Sequence, residues 1–191
     1  MSVSEVRDFL RDRASAGESI GVAVLLRAWR SAPRAPGARF AAGSGTATAG
    51  SISAGCVEAD LREHLRAVAG GAAPRIVRYG VSDEDAAAVG LSCGGEIEVL
   101  VRAHDPADQV WRCLEDALDS GDEGVLATAL YDSALGRQML IMATGETVGS
   151  LDVAGRDQAI VTAAKRALSE ECAARVVSLE PGHEVFLEPM L

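Results

Sequence analysis

The sequence predicts an α+β protein made of two related halves, and three observations carry that prediction. Apolar runs of strand length alternate with stretches of helical periodicity. The same order of elements occurs twice, once in residues 1–103 and again in residues 104–191. Turn signals in the first half have counterparts in the second at similar spacing. One such unit has little material for a core of its own. The two strand-hairpin-helix-strand halves are therefore expected to share a core around a pseudo-twofold, with mixed or antiparallel sheets.

Each element has a local reason. Val3 to Ala14 reads as an amphipathic helix with Val6, Phe9 and Leu10 on one face, ended by Gly17. Ile20 to Ala28 is an apolar strand. The segment Ser31-Ala-Pro-Arg-Ala-Pro-Gly37 follows, and its two prolines forbid a helix interior or a central strand, leaving a stiff loop. Ala38–Ala42 and Thr46–Ile52 form a hairpin about Gly43-Ser-Gly45. Gly50-Ser-Ile-Ser-Ala-Gly-Cys-Val-Glu58 then turns into a helix whose Val57, Leu61, Leu65 and Val68 share a face, stopped by Gly70-Gly71 and Pro74. Arg75–Tyr79 is a strand, Ser82 caps a short helix to Ala88, and Gly90-Leu-Ser-Cys-Gly-Gly95 leads into the strand Glu96–Arg102.

The pattern then restarts. Asp105-Pro106 signals a helix running to about Leu118, with Asp105 as its cap. Gly124–Tyr131 answers Gly21–Ala28, Gly136–Met142 answers Gly37–Gly43, and Gly149-Ser-Leu answers Gly50-Ser-Ile. The helix 156–170 answers the one after Cys56, Arg175-Val-Val answers Arg75-Ile-Val, and Val185-Phe-Leu answers Ile97-Glu-Val. This repeat is an internal control: what the fold requires appears in both copies, and what chemistry requires is free to appear in one. The second copy shortens the proline loop, replaces the Ser-Ala-Gly-Cys turn and drops the counterpart of Ser82 to Cys93. These three segments of the first half are expected to come together in space.

Composition excludes several classes. With 191 residues and 48% hydrophobic content, the chain buries a proper core. A formal net charge of −10 argues against nucleic-acid binding, which needs a basic face. No apolar run is long enough for a membrane span, and the mixed-charge N-terminus is unlike a signal peptide, so a cytoplasmic location is expected. Four cysteines lie far apart with no C-x-x-C pair, and reduced thiols are the default. From Ser19 to Val57 there is no Asp or Glu, although composition alone would place about six there. The same window holds Arg27, Arg30, Arg34 and Arg39. An acid-free, arginine-bearing island suggests a pocket for a small anion.

The candidate residues follow. Cys56, placed in the first turn of its helix, would feel the positive end of the helix dipole and open N–H groups that favour a thiolate and welcome anions; Ser53 and Gly55 belong to that turn. Glu58 suits the dipole and can reach back to the turn as in a capping box. Cys93 is followed by Gly94 and Gly95, whose backbone lets a ligand approach closely. Arg34 and Ser31, in the loop closed by Gly37, can grip a phosphate or carboxylate. Against these stand plain packing for a buried cysteine and plain exposure for a loop arginine. Trp29 is either a rim aromatic or a stacking surface. Cys113 and Cys172 read as packing within helices. His64, His104 and His183 have no ligand spacing, and no metal site is expected. Ser51-Ile-Ser53-Ala-Gly55 lacks the leading glycine of a hydrolase elbow, and Gly43-Ser-Gly45 lacks the rest of a dinucleotide fingerprint.

The ordered set S-A-P-R-A-P-G-A-R (31–39), G-S-I-S-A-G-C-V-E (50–58), R-Y-G-V-S-D-E-D (78–85) and G-L-S-C-G-G-E-I-E-V (90–99) resembles the XdhC/CoxI family. The resemblance implies an accessory protein for molybdenum hydroxylases such as xanthine dehydrogenase and carbon monoxide dehydrogenase, and not an enzyme. Such a chaperone binds molybdenum cofactor (molybdopterin) transiently, supports its sulfuration by a cysteine desulfurase and passes it to the apo-hydroxylase. Ser31, Arg34, Gly37, Ser53, Gly55, Glu58, Gly94 and Gly95 would then hold the cofactor, with Cys56 and Cys93 beside the metal or relaying sulfur. Many family members continue into a C-terminal Rossmann domain, which this sequence stops short of; a separate chain would have to supply it. A homodimer is left open. Two other classes are weighed against this: a cysteine-dependent enzyme acting on a small anion, and a scaffold that binds a hydroxylase or a separate Rossmann subunit without pterin.

Overall fold

The computed structural model describes residues 2–30, 34–55, 57–80, 95–131, 134–151 and 157–190. The expectations that fall on Ser31, Cys56, Cys93, Gly94 and the helix 82–88 lie outside the described residues. The chain divides into two compact units at His104–Asp105, one residue from the boundary read in the sequence. Among the described residues, no helix is long and apolar enough to cross a membrane.

In the first unit the order is α1 (Ser2–Ser15), β1 (Ile20–Trp29), β2 (Arg39–Gly43), β3 (Thr48–Gly50), α2 (Glu58–Ala69), β4 (Arg75–Tyr79) and β5 (Glu96–His104). The strands form one sheet in the order β3-β2-β1-β5-β4, and every neighbouring pair is antiparallel. Helix α2 forms because Leu61, Leu65 and Val68 recur on one face, and all three are buried. They meet Ala23, Leu25, Phe40, Val99 and Val101 in one core. Full burial of each leucine stabilises the unit by about 1.5–3 kcal/mol. Helix and sheet approach so closely that a Cβ on Gly21 would overlap the backbone of Leu65. Gly50, at φ 77°, is fixed in the same way: a Cβ there would overlap the Arg39 carbonyl and crowd Val6 of α1.

The second unit repeats this order as α3 (Gln109–Ser120), β6 (Gly124–Ala129), β7 (Gln138–Met142), β8 (Thr147–Gly149), α4 (Asp157–Ser169), β9 (Arg175–Glu180) and β10 (His183–Met190). Its sheet runs β8-β7-β6-β10-β9, again antiparallel throughout. Gly149, at φ 80°, stands against Val110 of α3 just as Gly50 stands against Val6. Ile160, Ala164 and Ala167 of α4 pack on Val125, Ala127, Val185 and Leu187 in a core made wholly of this unit's residues. The two-copy α+β reading therefore holds, and each copy assembles a core cluster from its own side chains.

Three local readings are corrected. Helix α2 begins at Glu58 with Val57 as its N-cap, so position 56 precedes the first turn and the helix-dipole argument for Cys56 loses its placement. Helix α3 is capped by Asp108, whose carboxylate accepts from Val110 N at 2.8 Å; Asp105 instead accepts from Ala107 N at 2.9 Å and closes a separate turn. Cys172 follows the end of α4 and does not lie within it, although it still packs against the second core.

Candidate functional site

The strand directions of the first unit bring the unusual segments to one end of its sheet. Strands β1, β3 and β4 all finish there, at Trp29, Gly50 and Tyr79, while β2 and β5 start there, at Arg39 and Glu96. The connections 30–38, 51–57 and 80–95 therefore leave from a single sheet end. In the second unit the equivalent end carries the short link 130–137, the turn from Ser150 and the two-residue turn Pro181-Gly182, so the segment holding Cys93 has no counterpart.

The best-defined feature is the turn before α2. The Glu58 side chain folds back over it and collects six donors. Oε1 accepts from Ser51 Oγ (2.8 Å), Ile52 N (3.0 Å) and Ser53 N (2.9 Å), and Oε2 accepts from Ser53 Oγ (2.6 Å), Gly55 N (2.9 Å) and Val57 N (3.2 Å). Burial raises its pKa, but the hydroxyl and N–H of Ser53 and the hydroxyl of Ser51 outweigh burial and hold the carboxyl down at about 2. Ala54, at φ 60°, and Gly55, at φ 114°, sit in the left-handed region, a conformation that costs a non-glycine residue roughly 1–2 kcal/mol. The six charge-assisted bonds stabilise that strained path.

This arrangement changes the expected roles of Ser53, Gly55 and Glu58. The N–H groups expected to await an external anion already hold an internal one. Gly55 and Val57, the residues on either side of Cys56, both donate to Glu58 Oε2. An ionised carboxylate at this point opposes the positive end of α2, so the helix start does not by itself favour a thiolate. Part of the device is generic: Ser150 Oγ donates to Asp157 Oδ2 at 2.8 Å at the matching positions of the second unit.

Arg34 is likewise occupied. Its Nη2 donates to both carboxylate oxygens of Glu5 on α1, at 2.6 and 2.7 Å, in a pair whose side chains are 36% and 38% exposed. Gly37, at φ 94°, donates its N–H to the Leu25 carbonyl at 2.7 Å, and Gly136, at φ 81°, does the same to Ala129 at 2.9 Å. By the internal control, Gly37 serves the fold.

A cluster that sequence reasoning missed stands beside these residues. The Tyr79 hydroxyl donates to Asp60 Oδ2 at 2.6 Å, and His64 Nε2 lies 3.3 Å from the same oxygen. Burial, and the carboxylate of Asp60 next, push the Tyr79 phenol well above its ordinary range. The next residue, Gly80 at φ 84°, presses on Gly95, where a Cβ would overlap the carbonyl oxygen. The segment between Gly80 and Gly95 thus starts and ends at one pinch, next to the Tyr79–Asp60 bond. In the second unit Leu179, Ala159 and Ala163 stand at the matching positions. The available signal was the spacing of Asp60 and His64, four apart on one helix face, together with their replacement by alanines in the other copy.

The arginine island is not acid-free in space. Arg27 and Arg78 both donate to Glu98, which is 2% exposed, Arg30 pairs with Glu96 at 3.5 Å, Arg34 with Glu5, and Arg39 donates to the Gly37 carbonyl at 3.3 Å. The expected positive bias is corrected accordingly: each guanidinium of the window already meets a carboxylate or a carbonyl.

Comparison with known proteins agrees with this architecture. A Bacillus halodurans structure described as a xanthine dehydrogenase superposes with a TM-score of 0.66 at 21% identity, over 96% of this chain and 52% of that one. The chain therefore spans about half the length of that relative. No curated protein matches it in sequence. Residues 13–80 match the XdhC and CoxI family, a range that takes in the proline loop and the thiol-bearing turn, and the resemblance carried by those two segments is borne out.

Proposed function

We propose that this chain is an accessory protein for a molybdenum hydroxylase, which receives the molybdenum cofactor at the sheet end of the first unit and supports its sulfuration and transfer. The family matched by residues 13–80 comprises accessory proteins, not catalysts, and the similar Bacillus halodurans structure is described as a xanthine dehydrogenase. The observation that carries the reading is topological: the three segments peculiar to the first copy leave one end of one sheet.

The described residues fit a phosphate-bearing cofactor in part. Arg34 is about a third exposed and held by a surface carboxylate, a kind of pair worth about 0–1 kcal/mol, so its fork can exchange Glu5 for a phosphate. Ser53, Gly55 and Glu58 fix the turn on both sides of Cys56 and do not themselves offer open donors. Cys56 and Cys93 belong to the two flanking segments, and this reading assigns sulfur handling to them. When bound, the cofactor supplies the metal centre on which the hydroxylase depends. The partners of this reading are the apo-hydroxylase and a cysteine desulfurase.

The test is co-expression with the cofactor-synthesis machinery, followed by molybdenum analysis and pterin fluorescence of the purified chain. Both signals are expected in stoichiometric proportion. A folded protein carrying neither would refute the reading.

A further inference from the structure

We propose that Trp29 is a stacking platform for the planar heteroaromatic ring of an anionic ligand, with Arg78 on the same sheet face supplying the charge that meets its anion. The inference rests on the preceding section for one point only, that the ring is a pterin.

Trp29 is the large hydrophobic side chain left exposed among the described residues, at 43%, whereas the chain's other tryptophan, Trp111, is buried at 8%. It ends a strand extension that the second unit lacks. Leu25 and Ala129 occupy the same register, opposite Val99 and Val185, yet β6 stops at Ala129 while β1 passes through an irregularity at Leu26 and continues to Trp29. The extra residues answer no requirement of the fold, since the second copy forms its sheet without them.

The extension is built for display. Ala28 packs into the core beneath α2, so alternation places Arg27 and Trp29 on the opposite face. Across from them stand Glu98 and Glu96, and Arg78 of β4 lies beyond Glu98. The carboxylate of Glu98 is buried at 2% beneath its two guanidinium partners, while Arg78 is 68% exposed and Arg30, beside Trp29, is 72% exposed. The groups turned outward are therefore an indole, the exposed guanidinium groups of Arg30 and Arg78, and the Glu96 carboxylate, 30% exposed and paired with Arg30; Arg78 has donors beyond those it gives to Glu98. Two strand spacings and two residues along the strand separate Trp29 from Arg78, about 12 Å, which suits a ring system bearing a side chain with a terminal anion. Arg30 itself is held at φ 62°, an unfavourable conformation for a non-glycine residue, at the point where the strand gives way to the proline loop. Indole–heterocycle stacking is sequence-tolerant chemistry worth a five- to hundredfold gain in affinity, roughly what base–aromatic stacking supplies.

The experiment is a fluorescence titration of the full chain with a phosphorylated pterin, with inorganic phosphate as the control. In Trp111→Phe, where Trp29 is the sole indole, saturable quenching is expected with the pterin and none with phosphate. Trp29→Ala should bind at least about tenfold more weakly at unchanged thermal midpoint, and Trp29→Phe should recover most of the loss. Arg78→Ala should weaken binding and flatten its salt dependence. Undiminished binding by Trp29→Ala overturns the platform while leaving the cofactor reading intact. Failure of the parent chain to bind any pterin overturns both.

Discussion

Glu58 is bonded to Ser53 twice, its Oε1 accepting from the Ser53 N–H at 2.9 Å and its Oε2 from the Ser53 hydroxyl at 2.6 Å. A single carboxylate thereby fixes both the backbone path and the side-chain rotamer of the turn that leads to Cys56. The turn is held by an anion from within, which gives its stability a defined dependence on pH.

The Glu58 carboxyl is lowered in the folded chain from 4.5 to about 2. Its contribution is fully present above pH 4.5 and is lost as pH falls toward 2, because the carboxyl is then becoming protonated in the folded chain as it already is in the unfolded one. After allowance for solvent screening this is on the order of 2–3 kcal/mol. Glu58→Gln should lower the unfolding free energy by about that amount at pH 7 and match the parent near pH 2, measured by urea titration at both values. A constant difference across that range would contradict the assignment.

Tyr79→Phe removes the bond to Asp60 and leaves the ring in place. A loss of about 1–2 kcal/mol is expected, since a hydrogen bond to a charged acceptor is at stake and Asp60 is solvated enough to recover part of it. The raised phenol also predicts that the Tyr79 contribution is complete below pH 10 and lost as pH rises above it. Ultraviolet titration of the parent should show a tyrosine that ionises only with alkaline unfolding, a signal absent from Tyr79→Phe.

Gly80→Ala combines a positive φ with an overlap on the Gly95 carbonyl, so more than about 2 kcal/mol of destabilisation is expected by thermal unfolding. Gly182→Ala is the comparison: it also has positive φ, 81°, but open space about the new Cβ, and should cost about 1 kcal/mol.

Arg34→Ala should leave the thermal midpoint nearly unchanged, because the pair with Glu5 is exposed. Its effect belongs to the ligand: cofactor affinity should fall at least tenfold. Glu5→Gln, which removes the competitor, should raise affinity instead, measured by equilibrium binding at fixed ionic strength.

Much of the fold was legible because the repeat imposes the same constraints twice. Gly50 and Gly149 both stand against a valine of the first helix of their unit, and the turn residues around them made the hairpins readable. The register between copies was less legible. Sequence matching set Gly124 on Gly21, but in the sheets Ala127 faces Met139 as Ala23 faces Phe40, a slip of one residue hidden by the irregularity at Leu26. Likewise Val185 corresponds to Val99, since both stand opposite the central valines Val177 and Val77, and not to Ile97. The electrostatics of the site were the least legible. A window free of acids in sequence receives Glu5 from the preceding helix, Glu58 from the next and Glu96 and Glu98 from a strand forty residues away or more, because sheet pairing brings in charges that no local count can see. A separation of 19 residues likewise hid Tyr79 from Asp60.

The central claim is that the segments bearing Cys56 and Cys93 serve one site at one sheet end. In a Cys113→Ser, Cys172→Ser background, a short bismaleimide should join Cys56 to Cys93 within a single chain, read by peptide mass, and bound cofactor should block the reaction. Two thiols that are each modified singly, with no intrachain link at any reagent length short of the width of the sheet, would contradict the account.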